Sequence, residues 1–311
     1  MDIKEYLYTV SHSLNLTISE YCDHINSKEK TRYLHANVYS SENHQNQWRL
    51  KIVNQCHDDF QNIKECNIYN NCVHLILHES QCLQSIMGVP KYLAIPEINL
   101  ATVNCSELID GLNPTDDDIC LIVNTLIQLQ LNRINISNAL FRPRNNSSCE
   151  INKYNKDNYK ARLVSSLCGL LSNDRISFKE KNDIINLYEK LFPDPLQDNE
   201  LTFVHGDFSY GNMKIQNNII FIIDFEHSHI GCGLIDLAHL FVNMKSSGKN
   251  DLAKKLLNSY KELAKDKSII FNENIFRALV LERVTGKMNS MKGEPNEKMA
   301  RLSDLLFVKE L

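Results

Sequence analysis

The period of the hydrophobic pattern changes once along this chain of 311 residues. Up to about residue 110, short segments rich in aromatic and β-branched residues alternate apolar with polar side chains, as half-buried strands do. From Asp116 onwards, apolar residues recur at three- and four-residue spacing, as on one face of a helix. The predicted fold class is therefore α+β, with a small, mostly antiparallel β domain at 1–107 and a larger, mainly helical domain at 108–311.

Five antiparallel strands are predicted within 16–107, followed by a hinge near 106–112. The polar segments NSKEK and SSENHQN separate the first three strands and suit hairpin turns. The predicted segments of this domain are an opening helix at 2–15, strands at 16–24, 31–39, 47–53, 91–96 and 100–106, and a helix at 78–87.

The second domain is predicted to be helical, with one very apolar strand, IIFIIDF, at 219–225. A segment rich in Asn, Arg and Ser at 137–158 is predicted to be a loop. The predicted helices are 116–131, 158–172, 178–192, 234–266 and 274–286.

Composition excludes several classes of protein. Hydrophobic residues make up 43 % of the chain and charged residues 23 %, which argues against a disordered or coiled-coil chain. The net charge of −4 gives no reason to expect a nucleic-acid partner.

The N-terminus lacks the features of a secretory signal, and no apolar run approaches a membrane span. We expect a cytoplasmic protein without a membrane partner; the oligomeric state stays open.

The positions of the cysteines and glycines exclude several metal-binding, redox and nucleotide-binding motifs. The ten cysteines include no CxxC pair, so free thiols are expected. No glycine precedes Gly88, which excludes a Walker P-loop or a Rossmann GxGxxG in the first quarter of the chain, and neither occurs later. His227, His229 and Cys232 form an HxHxxC pattern, but zinc is disfavoured because no fourth ligand lies nearby.

The segment HGDFSYGN at 205–212 contains H-x-D-x-x-x-x-N, the spacing of the catalytic loop in kinase-type phosphotransferases. By itself this spacing arises by chance in roughly one such sequence in ten. Its context is stronger evidence, because Asp224 follows an apolar strand and begins the triplet Asp224-Phe225-Glu226, in the place of a kinase D-F-G. A G-x-G-x-x-D pattern at 231–236 then begins the next helix. Each of these motifs by itself could be an ordinary turn or helix cap. Turns and caps do not explain why all three motifs occur in this order and spacing.

At these residues the sequence resembles the aminoglycoside phosphotransferase and choline kinase superfamily of small-molecule kinases. HGDFSYGN, IIDFE and GLIDLAHLF match that superfamily's H-G-D-x-x-x-x-N, I-D-F/W-E/D and D-L-A blocks in order and spacing. The resemblance is dense across 203–241. It implies a two-lobed, protein-kinase-like fold and the ATP- and Mg²⁺-dependent transfer of a phosphoryl group to a hydroxyl of a small molecule.

The resemblance also implies a role for each motif residue. Asp207 would orient the acceptor hydroxyl and take its proton, while Asn212 and Asp224 would hold Mg²⁺, which prefers hard oxygen ligands. Glu226 is a candidate for a further carboxylate beside the metal. His205 and Asp236 would support the catalytic loop structurally.

The first domain is expected to supply the nucleotide contacts. Lys51, in the third strand, is the best lysine for the α- and β-phosphates, although a lone strand lysine is more often an exposed edge charge. Glu79, which begins an E-x-x-x-L pattern ending at Leu83, is its expected partner, and Glu65 is the rival. The backbone groups of the hinge residues Ser106, Glu107 and Leu108 would read adenine.

One departure from the protein-kinase pattern leaves a second function open. The turn at 24–30 has no glycine, so Ser27 or Lys28 would have to compensate there. The alternative is a catalytically silent, nucleotide-binding pseudokinase. Protein phosphorylation is disfavoured because no A-P-E block follows Asp224.

The acceptor is expected to be an amino alcohol, a sugar or an antibiotic-like metabolite, and not a polycation. Residues 245–311 carry 14 Lys or Arg and 9 Asp or Glu, which opposes the binding of several ammonium groups unless local acids dominate. The acids that could form such a cluster are Glu262, Asp266, Glu273 and Glu282. The aromatics available for a choline-type cage are Phe241, Tyr260, Phe271 and Phe276, although at helical spacing such residues usually belong to the core.

Overall fold

The computed structural model describes residues 3–13, 16–21, 32–40, 47–53, 58–79, 103–131, 151–192, 196, 201–291 and 297–307. Two structural units divide the chain. Unit 1 comprises Met1–Leu112, Ala139–Glu150 and Lys214–His227, and unit 2 comprises Asn113–Asn138, Ile151–Met213 and Ser228–Leu311. These units depart from the sequence-based division into 1–107 and 108–311 because residues 108–112, 139–150 and 214–227 also belong to unit 1.

Unit 1 contains a four-stranded antiparallel sheet with the order β1-β2-β3-β4 in its described residues. Alternate residues of β2 and β3 are buried, and they pack with Leu7 of α1 and with Cys105 into one core. The antiparallel β domain predicted from this alternation is confirmed. The elements are α1 (Ile3–Ser13), β1 (Leu16–Tyr21), β2 (Tyr33–Ser40), β3 (Gln47–Val53), α2 (Phe60–Glu79) and β4 (Val103–Glu107).

Helix α2 differs from the prediction, which placed a helix at 78–87. The helix runs over Phe60–Glu79, and its buried face carries Asn67, Asn70 and Asn71. Asparagine is a poor helix former and gives no hydrophobic periodicity, so the sequence pattern did not reveal this helix. Residues 80–87, the strand predicted at 91–96 and the turn at 24–30 with Ser27 and Lys28 lie outside the described residues.

Unit 2 is mainly helical, as predicted. Its helices are α3 (Ile119–Leu131), α4 (Lys156–Ser172), α5 (Phe178–Leu191), α6 (Leu234–Ser246), α7 (Asn250–Asp266), α8 (Glu273–Ser290) and α9 (Glu297–Phe307). The single helix predicted at 234–266 is divided, because α6 ends at Ser246 and Gly248 takes a φ of +78° that side chains with a Cβ rarely adopt. Helix α9 was not predicted.

Four short strands lie between α5 and α6: β5 (Leu201–Val204), β6 (Met213–Gln216), β7 (Ile219–Ile222) and β8 (His229–Cys232). Strand β5 pairs with β8 in antiparallel register within unit 2, and β6 pairs with β7. The segments that carry the sequence motifs follow β5 and β7. None of the helices in the described part of the chain combines the length and the apolar character that crossing a membrane requires.

Candidate active site

The loop after β5 is attached to the start of α6 through Asp236. The carboxylate of Asp236 accepts hydrogen bonds from the backbone N–H groups of His205 and Gly206, both at 2.8 Å. Gly206 has a φ of +81°, which glycine adopts without strain. Burial raises the pKa of Asp236, and the two amide donors partly offset that cost. These two hydrogen bonds agree with the supporting role expected for Asp236.

Asp207 is held inside this loop by Asn212. The amide nitrogen Nδ2 of Asn212 donates to Oδ2 of Asp207 at 2.8 Å and to the Asp207 backbone carbonyl at 3.0 Å. The N–H of Asp207 donates to Nδ1 of His205 at 3.3 Å. Because Asn212 uses its nitrogen inside the loop, its amide oxygen Oδ1 is the atom that can face a cation.

A histidine that sequence reasoning missed also lies against Asp207. Nε2 of His239, on α6, lies 3.4 Å from Oδ1 of Asp207. His239 is three residues after Asp236 in the segment IDLAHLF, and only its position one turn along the same helix face would have drawn attention to it. Both oxygens of Asp207 therefore have a neighbour from unit 2.

The segment after β7 is held by residues of unit 1. Asp224 has a φ of +67°, in the left-handed region. Its Oδ1 lies 3.2 Å from Nζ of Lys51 on β3, and that Nζ lies 3.9 Å from the ring centroid of Tyr33. The structure thus brings together Lys51 and Asp224, two residues that were predicted for separate roles.

Helix α2 contacts this segment through an asparagine. Oδ1 of Asn70 accepts a hydrogen bond from the buried N–H of Phe225 at 2.7 Å. Of the two glutamates predicted to pair with Lys51, Glu65 is exposed on α2. Glu79 is the last residue of the helix, and its side chain lies outside the described part. Sequence reasoning also missed Asn70, which holds the backbone beside Asp224 within unit 1.

Glu226 is engaged by two residues at the start of β2. Nη1 of Arg32 lies 3.1 Å from its Oε1, and the hydroxyl of Tyr33 donates to its Oε2 at 2.9 Å. The Glu226 side chain is only 8 % exposed. Burial and the nearby Glu226 raise the pKa of Tyr33, so the phenol keeps its proton and remains a donor. Because both of its carboxylate oxygens already have donors, Glu226 is a weaker candidate for a metal ligand than Asn212 or Asp224.

Ser106 and Glu107, which were predicted as part of the hinge, are the last two residues of strand β4. Glu107 lies opposite Trp48 and Ser106 opposite Arg49 in the pairing of β3 with β4. The N–H of Leu108 donates to the carbonyl of Gln47 at 3.0 Å. The N–H of Leu108 is therefore committed to the sheet, and among its backbone groups the carbonyl is the one left for the predicted contact with adenine.

Two of the four acids in the candidate cluster of unit 2, Glu273 and Glu282, are paired with cations. Glu282 is buried, with Nε of Arg162 at 3.0 Å from Oε1 and Nε of Arg283 at 3.2 Å from Oε2. Glu273 pairs with Nζ of Lys261 at 2.7 Å. Among the described residues, no group of three or more His, Cys, Asp or Glu side chains is arranged to hold a metal ion.

The candidate aromatic cage is instead part of the helical core. Phe241, Tyr260 and Phe276 are buried. Phe271 packs against Tyr260 and Phe276, with ring centroids 6.0 and 5.5 Å apart. Nζ of Lys261 lies 4.7 Å from the ring centroid of Phe271, and Nζ of Lys245 lies 5.6 Å from that of Phe241, so two of the four rings already contact a lysine.

Comparison with known proteins supports the resemblance based on the motifs. Residues 138–267 match the model of the APH family, described as a phosphotransferase enzyme family. This range contains the whole of 203–241, where the motifs are dense. The resemblance to the aminoglycoside phosphotransferase and choline kinase superfamily is thereby confirmed. A search of curated protein sequences finds no significant match.

Solved structures show the same fold. A type I macrolide 2'-phosphotransferase has a TM-score of 0.63 at 12 % identity, covering 99 % of this chain and 97 % of that one. The ADP-bound aminoglycoside phosphotransferase APH(2'')-Ib has a TM-score of 0.54 at 17 % identity, with 99 % and 97 % covered. Choline kinase from Cryptosporidium parvum Iowa II has a TM-score of 0.58 at 13 % identity, with 97 % and 93 % covered. The α+β fold is therefore that of the kinase-like phosphotransferases.

Proposed function

We propose that this protein transfers the γ-phosphate of ATP to a hydroxyl group of a small molecule. The observation that carries the proposal is the contact of Asn212 with Asp207, which fixes a half-exposed carboxylate in a loop with kinase-type spacing. The family match over 138–267 supports the same reaction class. A cytoplasmic location without a membrane or nucleic-acid partner remains part of this proposal.

The proposed reaction assigns the acceptor's proton to Asp207. The acceptor oxygen forms a bond to the γ-phosphorus, the bond from that phosphorus to the β,γ-bridging oxygen breaks, and ADP leaves. The hydroxyl proton passes to the Asp207 carboxylate. Hydrogen bonds from Asn212 restrict rotation of that carboxylate, so the loop contributes mainly by positioning.

Asn212 and Asp224 are the proposed ligands of Mg²⁺. The hydrogen bonds of Asn212 leave its Oδ1 as an oxygen donor without charge, and Asp224 supplies a charged carboxylate. These donor atoms fit a hard cation. When bound, Mg²⁺ would neutralise charge on the nucleotide phosphates.

The remaining roles concern the nucleotide and the support of the loop. Lys51 is the proposed phosphate ligand, and its Nζ lies against the ring of Tyr33 and the carboxylate of Asp224. Ser106 and Glu107, with the carbonyl of Leu108, are proposed to contact the base. Glu79 stays the proposed helix partner of Lys51. His205 and Asp236 support the loop that carries Asp207.

The proposed acceptor is a small hydroxylated metabolite that is not a polycation. Two of the four acids that might have attracted ammonium groups, Glu273 and Glu282, are already paired with cations. The similar structures include proteins named for macrolide, aminoglycoside and choline phosphorylation. Because their acceptors differ, the similarity supports the class of reaction and does not identify the acceptor.

A nucleotide-binding pseudokinase is the second candidate function. It is favoured by the contact of Lys51 with Asp224, because a lysine held by this carboxylate must rearrange before both can serve the nucleotide and its metal. Protein phosphorylation stays disfavoured, as it is from the sequence.

A thermal-shift titration followed by an activity screen separates these functions. We expect ATP with MgCl₂ to raise the melting temperature, and ADP release to increase with one member of a panel of sugars, amino alcohols and antibiotics. Nucleotide binding without ADP release in any member would favour the pseudokinase. The absence of any nucleotide-dependent shift would contradict both functions.

A further inference from the structure

We propose that His239 is a positioning residue, which orients the carboxylate of Asp207 as a neutral hydrogen-bond donor. This inference rests on the proposed function, because it assigns His239 a role in the same transfer. The catalytic-loop motif predicts one contact for the Asp207 carboxylate, with Asn212. His239 provides a second contact.

The two contacts of Asp207 come from different elements. Asn212, in the loop itself, donates to Oδ2 at 2.8 Å, whereas Nε2 of His239 on α6 lies 3.4 Å from Oδ1. A distance of 3.4 Å is long for a hydrogen bond, but contacts of this kind often shorten when the substrate binds. With both oxygens contacted, rotation about the Cβ–Cγ bond of Asp207 is restricted.

The second ring nitrogen of His239 determines where the proton lies. Nδ1 is buried and has no hydrogen-bond partner in the part of the chain that the structure describes. An ionised carboxylate can only accept a hydrogen bond, so Nε2 must carry the proton to bond with Asp207. The favoured tautomer is therefore the neutral ring protonated on Nε2.

Burial and neighbouring cations favour the neutral form of this ring. On α8, Arg283 precedes Lys287 by one turn, and Nζ of Lys287 donates to Oδ1 of Asn243, which lies one turn after His239 on α6. Burial, followed by the charges of Arg283, Lys287 and Arg162, lowers the pKa of His239 well below its ordinary value.

An uncharged donor suits this position physically. A protonated histidine would form an ion pair with Asp207 and compete with the acceptor's proton for the carboxylate. A neutral N–H orients the carboxylate and leaves its full negative charge available. The cations that lower the pKa of His239 are thus part of the arrangement around the proposed base.

Replacing His239 with glutamine and with leucine tests the role. Glutamine keeps an N–H donor near the position of Nε2, and leucine fills similar space without a donor. For His239→Leu we expect kcat for ADP formation to fall about 10- to 100-fold with little change in the KM for ATP. For His239→Gln we expect kcat within about threefold of the wild type. The exposed His12→Leu serves as a matched control and should leave kcat unchanged.

A kcat for His239→Gln as low as that for His239→Leu would contradict the role of a donor, as would a wild-type kcat for both. Melting temperatures of all three variants show whether any loss of activity follows from unfolding. Activity is measured with the acceptor found in the screen, or with water as acceptor through the slow hydrolysis of ATP.

Nuclear magnetic resonance tests the contact without activity. In protein labelled with ¹⁵N-histidine, the signals that disappear in His239→Gln identify the ring of His239. We expect a neutral ring at pH 7 with its proton on Nε2, and a shift of the Nε2 signal in Asp207→Asn. A cationic ring, or a proton on Nδ1, would overturn the inference. If no ADP forms at all, the proposed function fails, and these spectra still decide the contact.

Discussion

Asn70 on α2 accepts a hydrogen bond from the backbone N–H of Phe225, 155 residues later in the chain, at 2.7 Å. This single contact ties the helix after β3 to the triplet that carries Asp224. It is a contact to the backbone, so it constrains the path of the chain and does not depend on the identity of the residue at position 225.

Loss of this contact is expected to destabilise the protein. Asn70→Leu leaves the buried N–H of Phe225 without its acceptor, which costs about 1–3 kcal/mol of the free energy of unfolding. Urea denaturation measures that change. Asn62→Leu on the exposed side of the same helix is the control, with an expected change below about 0.5 kcal/mol. Equal losses in the two variants would contradict a special role for Asn70.

Removal of the proposed base should affect turnover and not nucleotide binding. Asp207→Ala is expected to lower kcat by about 10²- to 10⁴-fold, because the carboxylate supplies both alignment and proton acceptance. The affinity for ATP with Mg²⁺, measured by titration calorimetry, should stay close to that of the wild type. Wild-type turnover of the true acceptor by Asp207→Ala would show that the assignment is wrong.

Asp224 and Glu226 should differ in their effect on metal dependence. Asp224→Ala is expected to abolish the part of nucleotide affinity that depends on Mg²⁺, since it removes a proposed ligand. Glu226→Gln should lower stability through the weakened contacts of Arg32 and Tyr33 but leave the Mg²⁺ dependence unchanged. Nucleotide titrations over a range of MgCl₂ concentrations compare the two. A shifted Mg²⁺ requirement in Glu226→Gln would support that residue as a metal ligand.

The buried carboxylate of Asp236 provides a test of the loop's attachment. Asp236→Asn turns one acceptor oxygen into an NH₂ group facing a backbone N–H, and we expect a loss of about 1–3 kcal/mol in unfolding free energy. The exposed Asp251→Asn on α7 is the matched control. Chemical denaturation at pH 7 measures both, and equal stability of the two variants would contradict the structural role of Asp236.

The stability of the wild type should also respond to the pKa of Asp236. Because its folded pKa is raised, the folded state binds more protons than the unfolded state just above the ordinary value near 3.8. The contribution of Asp236 to the free energy of unfolding therefore decreases as the pH rises through that window. The difference in stability between the wild type and Asp236→Asn should shrink as the pH rises from below this window to pH 7.

Much of the fold could be predicted because local periodicity reports burial. The alternation in 31–39 and 47–53 predicted β2 and β3, and the three- and four-residue spacing predicted α3, α4 and α5, within a few residues at each end. Helix α2 was not predicted because three of its buried positions are asparagines. A hydrophobic pattern cannot reveal a buried helix face when polar side chains lie on it, such as that of Asn70, whose burial is offset by a hydrogen bond.

The motif spacing by itself placed Asp207 beside Asn212, because the two are five residues apart in one loop. Only the tertiary structure decided the partners of the other site residues. Lys51 meets Asp224 across 173 residues, and His239 lies against Asp207 through the packing of α6 on the loop after β5. Sequence spacing determines contacts within a turn or a helix, whereas contacts between distant segments depend on how the elements pack, which no local pattern contains.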